Sequence, residues 1–343
     1  MKTRIMLSLI SFICYLSVQA QAVYVDSNIG DDNNKGTEEM PVYSIQRATE
    51  IIKSTENDTY KMKLNPGVYI LDSTLTVETE KDITNKRIVI EASILPEDTA
   101  WTPEQMPVII SNSRKGKDTR ISEHFVVSFL VESGNVTIRG LKFSGYFYPN
   151  TRYLPVARFN KEKTDLLVEQ CMFVGDEHSS VIQVGVLAHG DKVKINRCVF
   201  NNVRNAVVFW EDSGNGYKIG NSMTNCIVNG AAECAVWTCT PDKDFVFENN
   251  IVTNSKHFWI INSGNPTAYS MNNCVIVDNQ IYKANWEKKF DEFKLEEHNV
   301  IKDGDIHLRF LGGIDEDMPR DYLHIIPDSL GHDIGAGLFT KSK

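Results

Sequence analysis

The segments Asn196-Arg197-Cys198-Val199-Phe200, Thr224-Asn225-Cys226-Ile227-Val228, Glu248-Asn249-Asn250-Ile251-Val252 and Asn272-Asn273-Cys274-Val275-Ile276 share one frame: polar residues, a small third position, then two apolar residues. Arg139-Gly140-Leu141-Lys142-Phe143 and Glu169-Gln170-Cys171-Met172-Phe173 keep it upstream, and the third positions of the six lie 30, 27, 28, 24 and 24 residues apart. A period of this size marks a solenoid. Each segment follows a short alternating strand, such as Val193-Lys194-Ile195 or Phe245-Val246-Phe247, and precedes polar turn residues and a second apolar strand. No 3.6-residue period runs through the region. Asn makes up 16 of the 84 residues from Asn196 to Asn279, more than loops alone need. Asn tolerates left-handed backbone angles and bonds its neighbours' backbone, so one Asn per coil can turn the chain at a fixed point. The expected fold is an all-β solenoid, a parallel β-helix with coils about 4.8 Å apart and a continuous core along its axis.

The cysteines fit such a column. Cys171, Cys198 and Cys226 occupy it, Asn250 interrupts it and Cys274 resumes it. Cys226 and Cys274 then stand two coils apart, about 9.6 Å, beyond the reach of a disulfide. Adjacent pairs are close enough to bridge, but buried thiols acting as small apolar residues are expected. Residues in one row cannot surround an ion tetrahedrally.

Composition sets the class. Of 343 residues, 42% are hydrophobic and 24% charged, enough for a sizeable core. The 36 Lys and Arg against 45 Asp and Glu give a net charge of −9, which argues against binding nucleic acid or an anionic membrane. A polyanionic substrate would need a local cationic patch or a bound metal. Lys2 and Arg4 precede an apolar run from Ile5 to Leu16, and Ala20 and Ala22 follow. These are the zones of a secretory signal peptide over residues 1–22. The run is too short to span a bilayer, so a secreted or periplasmic protein without membrane insertion, and a monomer, is expected.

The mature start reads Val23-Tyr24-Val25-Asp26-Ser27-Asn28-Ile29-Gly30-Asp31-Asp32, then Lys35-Gly36-Thr37, Pro41, a helical stretch through Ile45, Ala48, Ile51 and Ile52, and Leu64-Asn65-Pro66-Gly67-Val68-Tyr69. Together with Asn135-Val136-Thr137-Ile138-Arg139-Gly140-Leu141 and the closing Asp328-Ser329-Leu330-Gly331-His332-Asp333-Ile334-Gly335-Ala336, it resembles the pectin-lyase-like superfamily. The resemblance covers most of the mature chain. It implies a right-handed parallel β-helix with an N-terminal capping helix, and an exported protein of the polysaccharide lyase or glycoside hydrolase type. Its implied organisation is one domain over 23–343, with cap and first coils in 23–135, regular repeats in 136–280, and final coils and cap in 281–343. No catalytic residue follows from it. The only Asp-Asp is Asp31-Asp32, in the cap, and Trp210-Glu211-Asp212-Ser213 has Ser where one pectate lyase branch has His. Trp286, Phe290 and Phe293 lie at helical spacing within 285–297, as if to cover or flank the far end, with Trp286 read as a packing residue.

The strand after each turn holds the candidate chemistry. Offsets of 27, 27 and 22 residues put Gln183, Trp210, Trp237 and Trp259 in one column. Alternation then sends the three Trp outward, as a platform for sugar rings; an inward aromatic ladder is the competing arrangement. Glu177, His178, Arg204, Glu233, Lys256 and His257 lead into these strands. His189, Asp191, Glu211, Asp212, Asp242 and Asp244 lead out. For substrate contacts the candidates are Trp210, Trp237, Trp259, Gln183, His178 and His257. A hydrolase needs two carboxyls roughly 5 Å or 6.5–9.5 Å apart, separations that one or two coil steps bracket, pairing Asp212 with Glu233 or Asp242. A lyase would use Lys256 or Arg204 as base, with Ca²⁺ held by Asp212, Glu233 or Asp242. The rival class is a non-catalytic glycan-binding or surface structural protein of the same shape.

Overall fold

The computed structural model describes residues 22–54, 59–78, 86–114, 121–148, 150–211, 219–262, 268–286, 293–311, 313 and 317–339. The expected signal segment, apart from Ala22, and the Asp212 site lie outside them.

The chain winds into a parallel β-helix of three strand columns. One middle coil contributes Asp191–Asn196 to the first column, Val199–Asn201 to the second and Asn205–Phe209 to the third. The next contributes Ser222–Thr224, Ile227–Asn229 and Cys234–Thr238. The one after gives Val246–Glu248, Ile251–Thr253 and His257–Ile261. Every ladder between these coils is parallel, and the third column runs to eight strands. Met172 pairs with Lys142 and Val199, Val199 with Ile227, Ile227 with Ile251, and Ile251 with Val275. This is the frame of the aligned sequence segments.

The turn between the first two columns explains the Asn bias. Asn225, Asn249, Asn273 and Asn299 have φ of 53–55°, the left-handed region. Each passes an amide hydrogen bond to the coil before it: Asn249 Nδ2 to Asn225 Oδ1 at 3.2 Å, Asn273 to Asn249 at 2.6 Å and Asn299 to Asn273 at 2.7 Å. Inside this turn Cys171, Cys198, Cys226 and Cys274 are buried thiols with no disulfide between them. Asn250 fits the same row because its Oδ1 accepts from Cys226 N at 2.9 Å and its Nδ2 donates to Met223 O at 2.8 Å. Phe143, Phe173 and Phe200 stack along the axis at 5.0 and 4.7 Å. Stacking like on like is the natural way to fill a core that repeats every coil.

The helix Ile45–Lys53 starts at Ser44, whose Oγ accepts from Arg47 N, and buries Ile45, Ala48 and Ile52 beside the first strands. Of the stretch 285–297, residues 287–292, Phe290 among them, lie outside the described residues, and the rest is not helical. Ile281–Asn285 and Lys294–Ile301 are strands, and Phe293 is buried near Tyr269. The spacing of Trp286 and Phe293 reflects one residue just past a strand and one just before the next. The described segment 322–339 lies along the second column. Leu323, Ile325, Ile334 and Leu338 cover its outward Met172, Val199, Ile227, Ile251 and Val275. Arg320 ties this arm to the carbonyls of Pro96, Asp98 and Thr99.

Candidate functional site

A cleft of about 570 Å³ runs across the outer face of the third column, lined by six of the expected residues, Gln183, His189, Arg204, Trp210, Glu233 and Trp237. Strand order builds its cross-section. Residues at the start of the strands or just before them form a polar wall: Arg152, Gln183, Arg204, Asn205 and Glu233. Outward mid-strand residues Leu187, Val208 and Trp237 form an apolar floor. Residues just after the strands, Phe159, His189, Trp210, Asn262 and Trp286, form the opposite wall.

The polar wall is held by one network. Arg204 Nε donates to Glu233 Oε2 at 3.1 Å, and Asn205 Nδ2 donates to the same oxygen at 3.0 Å and to Gln183 O at 3.0 Å. Trp237 Nε1 donates to Asn205 Oδ1 at 2.9 Å, so the floor indole and the wall carboxylate share one amide. Glu233 accepts from the Nε of Arg204, and the Arg204 side chain, which lines the cleft, stays exposed. Trp286 is 60% exposed and lies 5.5 Å from Trp237, tilted by 48°, so it borders the cleft rather than filling the core. On the far wall His189 lies between Phe159 and Trp210, with Nδ1 3.9 Å from Glu211 Oε2. Burial pushes its pKa below the ordinary histidine value more than the Glu211 charge raises it. The imidazole is therefore neutral near pH 7, a state suited to accepting a proton.

The expected Trp column does not form. Val207 pairs with Val236, and Val236 with Trp259, so the offsets are 29 and 23 residues. Trp259 points inward, 0% exposed, against Phe245, Phe247 and Tyr269, and its Nε1 donates to Thr238 Oγ1 at 2.9 Å. Phe258 is also interior, whereas Ile260 is outward, because the second and third residues of each of these strands both point inward. Alignment on the indoles chose the wrong partner: the turn into Cys234–Thr238 is one residue longer than its neighbours.

Other expected residues stand apart from the cleft. Asp242 is buried and accepts from Asn221 N and Asp244 N, so its carboxylate closes a turn, and burial raises its pKa. Lys256 is exposed in the turn before His257–Ile261 and does not line the cleft. His257 Nδ1 donates to Glu233 O at 2.8 Å and so supports the backbone beneath Glu233. His178 is exposed in a turn closed by Asp176, whose Oδ1 accepts from His178 N and Ser179 N. Among the described residues no group of three His, Cys, Asp or Glu could hold a metal ion. Asp242 accepts from backbone N–H groups, and Glu233 Oε2 accepts from Arg204 and Asn205. Phe125, Arg152, Asn205 and Asn262 were not among the sequence candidates. Phe125 lies before the recognisable repeat, and the two Asn looked like further turn residues.

No protein-family profile matches the chain, and no curated protein matches it in sequence. Among solved structures it is similar to a rhamnogalacturonan lyase, at 12% identity and a TM-score of 0.38 over 82% of this chain and 62% of that one. It is also similar to the GH136 lacto-N-biosidase from Eubacterium ramulus, at 11% identity and 0.39 over 82% of this chain and 68% of that one. The chain thus spans less than two thirds of the lyase's length.

Proposed function

We propose that the protein is an exported polysaccharide-cleaving enzyme whose substrate lies in the third-column cleft, and that it acts on a uronate-containing chain by β-elimination. One observation carries this reading: Arg204, held through Nε by Glu233, lines the same cleft as the Trp237 floor and the neutral His189 of the opposite wall.

Sugar rings would lie on the indoles of Trp237, Trp210 and Trp286, whose faces are apolar and whose edges are polar. Arg204 and Arg152 would take the uronate carboxylate, Arg204 through two parallel N–H groups. Pairing that carboxylate with arginine acidifies the adjacent C–H. The His189 imidazole then takes its proton, the C–H electron pair becomes the new C=C bond, and the bond to the glycosidic oxygen breaks, that oxygen taking a proton from solvent. Arg204 binds rather than acting as base, because a guanidinium does not deprotonate in proteins. Glu233 and Asn205 position it.

The test is a panel of homogalacturonan, rhamnogalacturonan and neutral glucans, with and without a chelator. Expected are unsaturated, ultraviolet-absorbing products from a uronate polymer, with about 10²–10⁴-fold slower turnover in His189→Ala. New reducing ends without unsaturation would overturn elimination in favour of hydrolysis, with Glu233 as one carboxyl and Asp212 the candidate for the other. Glycan bound without turnover would make the cleft a binding site only. Loss of activity on chelation would restore a metal, with Ca²⁺ the first candidate.

A further inference from the structure

We propose that the outer face of the first column carries a second saccharide site, selective for anionic sugars and separate from the cleft. A hollow of about 420 Å³ lies there, floored by Thr137 and Leu167 and flanked by Arg87 on one side and Lys192 and Lys194 on the other. The strand pairings place these residues in order. Thr137 is one coil after the strand that Arg87 opens, Leu167 pairs with Thr137, and Lys194 pairs with Leu167.

Charge is what sets this hollow apart. The chain carries −9 overall, yet three cations meet here with one acid, Asp165, which lies 3.5 Å from Lys192. Among the described residues Arg87 and Lys194 have no ion pair. Nearby acids do not supply one: Glu91 is paired with Lys61 at 2.7 Å, and Glu169 with Arg139 at 3.3 Å and Arg197 at 3.6 Å. Uncompensated like charges repel, and an anion that bridges them relieves that repulsion. Arg87 stands three coil steps from the lysines, about 14 Å, too far for one small anion to bridge. An extended chain with repeated negative charges spans it. Thr137 offers a hydroxyl partner and Leu167 an apolar surface for a ring face. Carboxylated and sulfated glycans share this chemistry.

The experiment is affinity electrophoresis of the full chain through polygalacturonate, dextran sulfate, neutral dextran and single-stranded DNA at low and high salt. The proteins are the parent, Arg87→Gln/Lys194→Gln, and Trp237→Ala. Expected is salt-sensitive retardation by at least one anionic glycan and none by dextran, weakened about tenfold or more in the double variant and persisting in Trp237→Ala. Polygalacturonate against dextran sulfate decides between carboxylate and sulfate. Equal retardation of parent and double variant, none in Trp237→Ala, or equal retardation by DNA would each overturn the second site. Because Trp237→Ala acts on the cleft alone, failure of the cleft reading leaves this result standing.

Discussion

Asn205 joins more of the cleft than any other residue: its one amide accepts from Trp237 Nε1 and donates to Glu233 Oε2 and to Gln183 O. Removing it leaves a buried indole N–H unpaired, at a cost of about 1–3 kcal/mol, and frees Glu233 and Arg204 to move. Asn205→Ala should therefore raise KM for the cleft's glycan while destabilising the chain only by that amount; unchanged KM would show that the network positions nothing. The two indoles that sequence reasoning grouped together can be separated in the same way. Trp259→Ala empties a fully buried site and should cost about 3–5 kcal/mol in denaturant unfolding, with glycan affinity retained by the folded fraction. Trp237→Ala, at the cleft floor, should cost less stability and most of the affinity. Residue type was legible from sequence, and so was the neighbourhood of Arg204 and Glu233. Which indole faced out was not, because parity along a five-residue strand inverts with a one-residue change in the preceding turn.

At the level of elements, the turn between the first and second columns was readable because its chemistry is local. A left-handed angle recurs at Gln170, Arg197, Asn225, Asn249, Asn273 and Asn299, next to the cysteine row, so period and register appear directly in the sequence. The turns into the third column vary in length, so nothing local fixes their register. The ladder should behave as a unit. Asn249→Ala keeps the left-handed angle, which costs a non-glycine residue about 1–2 kcal/mol, and loses two side-chain bonds of about 0.5–1.5 kcal/mol each. Asn249→Gly loses the bonds but not the backbone freedom. Chemical denaturation should rank the parent above Asn249→Gly and that above Asn249→Ala. The reverse order of the two variants would mean that the backbone angle is not what Asn supplies.

Across the whole molecule, the arm laid on the second column is the part that sequence reading located least well, since its partners lie more than a hundred residues away: Gln170 Nε2 donates to Leu338 O, and Gly337 N to Asn225 O. Its anchor is His324, whose ring lies 4.8 Å from that of Phe339, tilted by 38°. Nδ1 donates to Tyr322 O at 2.8 Å and Nε2 accepts from Leu338 N at 2.8 Å, so both nitrogens are in use and the ring must be neutral. Burial holds its pKa below the ordinary 6.5, outweighing the upward pull of the Tyr322 carbonyl and Asp321. Between 6.5 and that lowered value the unfolded chain binds a proton that the folded chain refuses. The contribution to stability is therefore complete above about pH 6.5 and is lost as pH falls through the folded value. Melting temperature should be flat from pH 8 to 7 and fall below 6.5, and hydrogen exchange at 322–339 should quicken over the same window. His189 shifts in the same direction, so His324→Gln and His189→Gln must be compared: the first should be less stable at pH 8 yet lose most of the acid slope, the second should keep it. If His324→Gln retains the full slope, the arm is not what acid releases.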